Sequence, residues 1–233
     1  MPDQSIADAV DGAARPPAPP AQVAEAYRRL LDRNREWADE AVRRDPEYFR
    51  RHAEGQKPTF LYLGCADSRV SPELATGSGP GELFVHRNVA NLFQPADANF
   101  LSVLTYAVEA LEVKGVVVCG HYGCGGVRAS LDAAPHGFVD HWIRLVRDVA
   151  ERHAEELSQL APGPNGARER RLVELNAVAQ ARAVRRSPVV QAAWAAGKPV
   201  AVHAMAYDVA DGRLKDLTAE VGGGAGAEGV ARG

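Results

Sequence analysis

Short apolar runs bounded by turn residues, alternating with helical patterns, most constrain what this chain can fold into. The runs are Thr59–Leu63, Leu83–His86, Gly115–Cys119 and Pro199–Ala206, and they read as buried strands. Val23–Val42 carries Val23, Tyr27, Leu30, Leu31, Trp37 and Val42 at helical spacing. Asn99–Leu111 is a second helical segment. Phe138–Leu160 is a long third one, with Trp142, Leu145, Val146 and Val149 on one face, and Leu172–Val184 follows. Ser187-Pro188 opens a short helix that Gly197 closes, with a capping residue, a proline at the first helical position and a glycine past the end. Asp211-Gly212 reads as a hairpin turn before a last strand at Arg213–Leu217. Alternating short strands and helices imply an α/β fold. The expectation is a single domain, a central mostly parallel β-sheet flanked by helices, with an N-terminal helical arm and a final antiparallel strand.

The ends of the chain differ from its middle. Residues 1–20 are rich in Ala and Pro, and a disordered arm is expected there. The folded domain is expected over 21–218, and 219–233 reads as a flexible Gly-rich tail. The 27 basic and 30 acidic residues give a net charge of −3, and no basic stripe runs along the chain. That argues against a nucleic-acid partner. Apolar runs such as Val116–Cys119 are far too short to span a bilayer. The first 20 residues lack the basic and apolar regions of a secretory signal. Three cysteines, Cys65, Cys119 and Cys124, are an odd number and too few for a disulfide scaffold. A reducing, cytoplasmic setting is expected.

Two motifs carry the chemistry, each at the end of an expected strand. Gly64-Cys65-Ala66-Asp67-Ser68-Arg69 follows Phe60–Leu63, and Gly120-His121-Tyr122-Gly123-Cys124-Gly125-Gly126 follows Val116–Cys119. Ligands bind open α/β sheets beyond the carboxyl ends of strands. If the two strands are neighbours, Cys65, Asp67, His121 and Cys124 converge there. Thiolate and imidazole suit zinc, and tetrahedral coordination needs four donors. Glycines beside Cys124 let the backbone turn so that His121 and Cys124 face one ion. Asp67 has two candidate partners, the metal and the Arg69 guanidinium. Two thiolates neutralise Zn²⁺, so a three-ligand site is neutral and a fourth, Asp67, makes it anionic and closed. The residues therefore imply a switch, with Asp67 on Arg69 when the site is open and on zinc when it is shut. Other readings of the same residues are a packed core cysteine, a loop salt bridge and a purely structural zinc site.

These motifs, together with Gly81-Glu82-Leu83-Phe84-Val85-His86-Arg87-Asn88-Val89-Ala90-Asn91, resemble the β-class carbonic anhydrases over roughly Gln56 to Leu217. The resemblance implies one Zn²⁺ per chain held by Cys65, His121 and Cys124, with Asp67 and Arg69 as a carboxylate–arginine gate. It implies reversible hydration of carbon dioxide to bicarbonate and a proton by zinc-bound hydroxide. Gln56 matches a substrate-binding glutamine, and Phe84, Val89 and Tyr106 match the apolar wall of the CO₂ pocket. That pocket would lie at the interface of a homodimer or homotetramer, with some residues supplied by the neighbouring chain. Some family members are closed by bicarbonate at a second, regulatory pocket, whose positions here are Tyr62, Gly64, Arg87 and Tyr207. Tyr62 departs from the usual tryptophan. Hydrolysis of carbonyl sulfide or carbon disulfide, and a non-catalytic bicarbonate or zinc sensor, are the alternatives. Asp67, Arg69 and Gln56 argue against the sensor, because a binding module needs no open metal position.

Overall fold

The computed structural model describes residues 20–222. Expectations for 1–19 and for 223–233 lie outside the described residues. The chain divides into two compact units after Glu54. In the first, α1 (Ala21–Arg44) and α2 (Tyr48–Ala53) surround a small aromatic group. The Trp37 ring meets Tyr48 and Phe49 edge-on, with centroids 6.3 and 5.5 Å away. Arg43 and Arg44 in the last turn of α1 complement the helix dipole, and both pair with Glu40, at 2.6 and 2.7 Å.

The second unit runs β1 (Phe60–Cys65), α3 (Pro72–Thr76), β2 (Leu83–Asn88) and a single 3₁₀ turn at Val89–Asn91. Next come α4 (Ala98–Thr105), a π turn at Tyr106–Ala110, β3 (Gly115–His121), α5 (Gly125–Leu131), α6 (Val139–Arg152), α7 (Ala154–Ser158) and α8 (Ala167–Arg185). It ends with α9 (Pro188–Ala195), β4 (Ala201–Tyr207), β5 (Leu214–Asp216) and α10 (Thr218–Val221). The strand order is β2-β1-β3-β4-β5. The first four strands are parallel, and β5 is antiparallel to β4.

Alternation along the strands divides the sheet into two faces. Leu61, Leu63, Val116, Val118, Ala204 and Ala206 point into the main core with Phe100, Leu104, Ile143, Leu172 and Val184 from the helices. Fully burying one of these Val, Leu, Ile or Phe side chains stabilises the fold by about 1.5–3 kcal/mol. The other face holds a smaller cluster of strand residues: Tyr62, Val117 and Cys119, with Phe60, Leu83, Val85, Met205 and Tyr207 against them.

Several boundaries differ from expectation for physical reasons. Strands β1, β2 and β3 each run two residues further, because Cys65 pairs with Asn88 and β3 pairs with β4 as far as His121–Tyr207. The long helix expected at Phe138–Leu160 breaks at His153. Eight residues of helix separate Val149 from Leu157 and would rotate Leu157 about 80° off the apolar face. The break turns Leu157 back into the core, where it is 1% exposed. Ser187 caps α9 as expected and accepts from Val190 N–H. The hairpin is wider than a two-residue turn. Asp208 N–H donates to Arg213 O, and Gly212 N–H donates to Asp208 O, both at 2.8 Å. Val221 is buried, so ordered structure passes the expected boundary at 218.

Candidate metal centre

From β1 the chain moves to β2 on one side of the sheet, and from β3 to β4 on the other. The carboxyl ends of β1 and β3 therefore flank the topological switch point, where open α/β sheets form their crevice. Cys65 is the last residue of β1 and His121 the last of β3. Gly123, at φ 71°, turns the chain so that Cys124 sits at the start of α5. The ligand atoms of Cys65, His121 and Cys124 all lie within 4.8 Å of one another, and all three residues are buried.

The donors fit a metal ion in detail. The Cys65 and Cys124 sulfurs are 3.8 Å apart. Their contact lowers the pKa of the Cys65 thiol and, with burial, pushes that of Cys124 up. Two thiolates this close repel unless a cation lies between them. His121 Nδ1 lies 3.2 Å from the Tyr122 carbonyl oxygen, so it carries the proton and donates there. Nε2 is then left with its lone pair. It is buried without a hydrogen-bond partner among the described residues. Leaving such an acceptor unpaired costs about 1–3 kcal/mol. A zinc ion bound by the two sulfurs and Nε2 removes both the repulsion and the orphan.

Asp67 is on Arg69. Arg69 Nε donates to Asp67 Oδ1 at 3.0 Å and Nη2 donates to Oδ2 at 2.7 Å. This fork, with the Arg69 backbone N–H on Oδ1, holds the Asp67 carboxyl well below the usual carboxylate range. Asp67 Oδ2 also lies 3.7 Å from His121 Nε2, so the carboxylate borders the donor cluster. Arg69 reaches the Gly123 carbonyl at 3.2 Å and so ties the two motif loops together. A cavity of about 420 Å³ opens beside them, lined by Asp67, Arg69, Tyr122, Arg128, Asn165 and Asp208 among others.

The remaining candidates fall in three places. The Phe84 and Tyr106 rings are 5.8 Å apart, and Val89 follows directly on β2. Val89 and Tyr106 are 39% and 49% exposed. Gln56 is exposed in the segment before β1, and no hydrogen bond joins it to the cluster among the described residues. Tyr62 lies on the opposite face of the sheet with its ring across Gly64, so close that a Cβ there would clash with it. Its hydroxyl is buried and has no partner among the described residues, and burial pushes its pKa far up. Arg87 donates from Nε to the Cys65 carbonyl at 2.8 Å and from Nη2 to the Asp67 carbonyl at 2.6 Å.

Sequence reasoning missed what holds the cradle from behind. Ala90 N–H points at Cys65 Sγ, 3.4 Å away. The buried amides of Asn176 and Gln180 support that turn from α8. Trp142 Nε1 donates to the Val89 carbonyl at 2.8 Å. Tyr122 donates to buried Glu174 at 2.6 Å. The available signal was three polar residues, Glu174, Asn176 and Gln180, inside the otherwise apolar stretch Leu172–Ala181.

Fold and site together define a metal-dependent α/β protein whose Cys-His-Cys cradle sits at the switch point of a parallel sheet, with an ionised carboxylate beside it. The family model described as Carbonic anhydrase matches residues 60–214. A carbonic anhydrase of Emericella nidulans is 41% identical over 199 residues, 85% of this chain and 86% of that protein. A Coccomyxa β-carbonic anhydrase solved in complex with acetazolamide superposes with a TM-score of 0.76 at 44% identity, covering 81% of this chain and 84% of that one. One of the tetrameric β-carbonic anhydrases of Sordaria macrospora gives 0.77 at 35% identity, covering 83% and 97%. The chain belongs to the β-class carbonic anhydrases, zinc enzymes that interconvert carbon dioxide and bicarbonate.

Proposed function

We propose that Cys65, His121 and Cys124 hold the catalytic zinc, and that Asp67 and Arg69 gate it during reversible hydration of CO₂. The observation that carries this reading is the set of three buried donor atoms within 4.8 Å, one of them an imidazole nitrogen without a partner among the described residues. Bound zinc supplies a Lewis acid that lowers the pKa of water towards neutrality. Asp67, kept ionised by Arg69, offers Oδ2 as the acceptor that orients the attacking water. Phe84, Val89 and Tyr106 form the apolar wall for CO₂. Gln56 donates to a substrate oxygen, and its exposure suits a residue that acts at a subunit interface. Stopped-flow CO₂ hydration across pH, with zinc measured on the same sample, tests the assignment. One zinc per chain and hydration that disappears together in Cys65→Ala support it. Full activity without zinc overturns it.

The gate closes when Asp67 leaves Arg69 for the metal. Bicarbonate favours the closed form from a regulatory pocket formed by Tyr62, Gly64, Arg87 and Tyr207. Two features support this. The Tyr62 hydroxyl is a buried donor without a partner among the described residues. Arg87 pins the carbonyls of Cys65 and Asp67, so an anion that draws Arg87 away loosens the loop carrying the gate. Cooperative loss of activity at low pH or high bicarbonate is expected. Non-cooperative profiles, or Asp67 still on Arg69 in a low-pH crystal, would sink the idea.

The enzyme assembles as a homodimer or homotetramer. The Sordaria macrospora relatives are tetrameric, and exposed Tyr27, Leu30 and Leu31 on α1 offer an apolar stripe for a second copy. A reducing, cytoplasmic setting follows from the chemistry of the cradle, since joining Cys65 to Cys124 in a disulfide would remove two ligands. Among the described residues no helix is long and apolar enough to cross a membrane.

A further inference from the structure

The turn after β2 is strained without a glycine. Ala90 and Asn91 have φ of 63° and 49°, in the left-handed region that residues with a Cβ seldom adopt. Such strain persists only where neighbouring groups fix it. Asn176 on α8 is fully buried, and its Nδ2 donates to the Ala90 carbonyl at 3.0 Å. Its Oδ1 accepts from Gln180 Nε2 at 3.0 Å, and Gln180 Oε1 accepts from Phe93 N–H at 3.0 Å. Both ends of the Asn176 amide are therefore fixed in orientation. Apolar side chains would fill this space without the desolvation penalty of two buried amides. The Ala90 N–H lies in the preceding peptide, whose Val89 carbonyl accepts from Trp142 Nε1 at 2.8 Å. With Asn176 on the following peptide, both flanks of the left-handed Ala90 are held, and its N–H points at Cys65 Sγ, 3.4 Å away.

We infer that Asn176 is a positioning residue for the metal centre: by holding the Ala90 carbonyl it keeps Ala90 in its left-handed conformation, which aims the N–H of the preceding peptide at the Cys65 sulfur and withdraws charge from that ligand. The inference rests on the reading of Cys65 as a zinc ligand. An N–H bond to a thiolate stabilises the sulfur lone pairs and weakens their donation to the ion, which leaves the ion more electrophilic. The path runs from Asn176 to the Ala90 carbonyl and, through the left-handed Ala90, to its N–H and Cys65, while Gln180 locks Asn176 from behind.

The test replaces zinc with cobalt(II) and reads the sulfur-to-cobalt charge-transfer band in three proteins: wild type, Asn176→Asp, and the double variant Asn176→Leu with Gln180→Leu. The double variant exchanges the buried polar pair for apolar packing and keeps the test valid where the single variant does not fold. Loss of the oriented N–H raises the sulfur lone-pair energy, so the band moves to lower energy in the variants. Turnover of the zinc-saturated variants falls about tenfold. A variant with one cobalt per chain and an unmoved band overturns the inference, even if its melting temperature falls, because that is what a merely structural amide would give. A wild type without a thiolate charge-transfer band overturns the ligand reading itself.

Discussion

Helix α8 buries eleven of its 19 residues, whereas no residue of α1, which is 24 residues long, is buried by the described residues. Both segments carry apolar residues at helical spacing. Helix α8 finds its partners in its own chain: Leu172, Val173 and Val184 join the main core. Its buried polar residues support the metal loops, with Glu174 on Tyr122, Asn176 on Ala90 and Glu169 on Arg128. Helix α1 leaves Tyr27 and Leu30 each 61% exposed. Periodicity reports that a helix has an apolar face, but not which molecule covers it. The comparison predicts that damage to the α8-backed cradle destroys chemistry or stability, and that damage to α1 acts on assembly.

The largest effect belongs to the ligands. Cys65→Ser or His121→Ala should lower bound zinc from about one per chain towards zero and reduce hydration more than ~100-fold. Metal analysis and stopped-flow rates read both. A substitution on α1 that removed zinc as completely would break the comparison.

Gly126→Ala comes next. A Cβ there would lie 2.9 Å from Val89 Cγ1 and 3.1 Å from Ala90 Cβ, against the strained turn behind Cys65. Alanine is the better helix former by about 1 kcal/mol, but overpacking a filled site costs about 1–3 kcal/mol. The turn is held on three sides, so the overpacking wins. Net destabilisation of about 1–2 kcal/mol in chemical denaturation is expected, with slower turnover. A more stable variant of unchanged activity would show that the turn yields freely.

Glu174 predicts a smaller, pH-dependent effect. Burial opposes its ionisation, but bonds from Lys215, Tyr122 and Arg171 outweigh that and hold its carboxyl below the ordinary 4.5. A depressed carboxylate contributes stability that is present above its ordinary value and lost as pH falls through its folded value. Glu174→Gln should therefore cost about 2 kcal/mol near neutral pH, and the deficit against wild type should shrink below about pH 4.5. Melting curves across that range read it. A pH-independent deficit would mean that packing, not charge, holds Tyr122.

These effects also mark what the sequence could reveal. Cys65 and His121 were legible because each ends an apolar run that must be a buried strand, and two such ends beside a switch point define a crevice. The partner of Asp67 was not legible, since metal and guanidinium compete for it and only the 2.7 Å contact with Arg69 decides. The left-handed Ala90 was hidden because no glycine announces it, and the break at His153 because no proline does. Asn176 and Gln180 were visible as polar interruptions of α8, but their targets lie 86 and 87 positions away.

The smallest effect on a single folded chain, and the sharpest test of the comparison, is Leu30→Glu on α1. The side chain is already mostly exposed. Its loss should change the intrinsic stability of one chain by no more than about 0.5 kcal/mol. Its consequence should appear in sedimentation, as a shift from dimer or tetramer to smaller species, because a charge in an apolar interface must be desolvated without a partner. Assembly stabilises by mass action, so the wild-type melting temperature should rise with protein concentration and that of the variant should not. Activity should fall with the assembly, since Gln56 and the exposed Val89 and Tyr106 are read as parts of a pocket at the subunit interface. An unaltered oligomer with a lower melting temperature at every concentration would mean that α1 is covered within its own chain, and the contrast with α8 would then be one of degree.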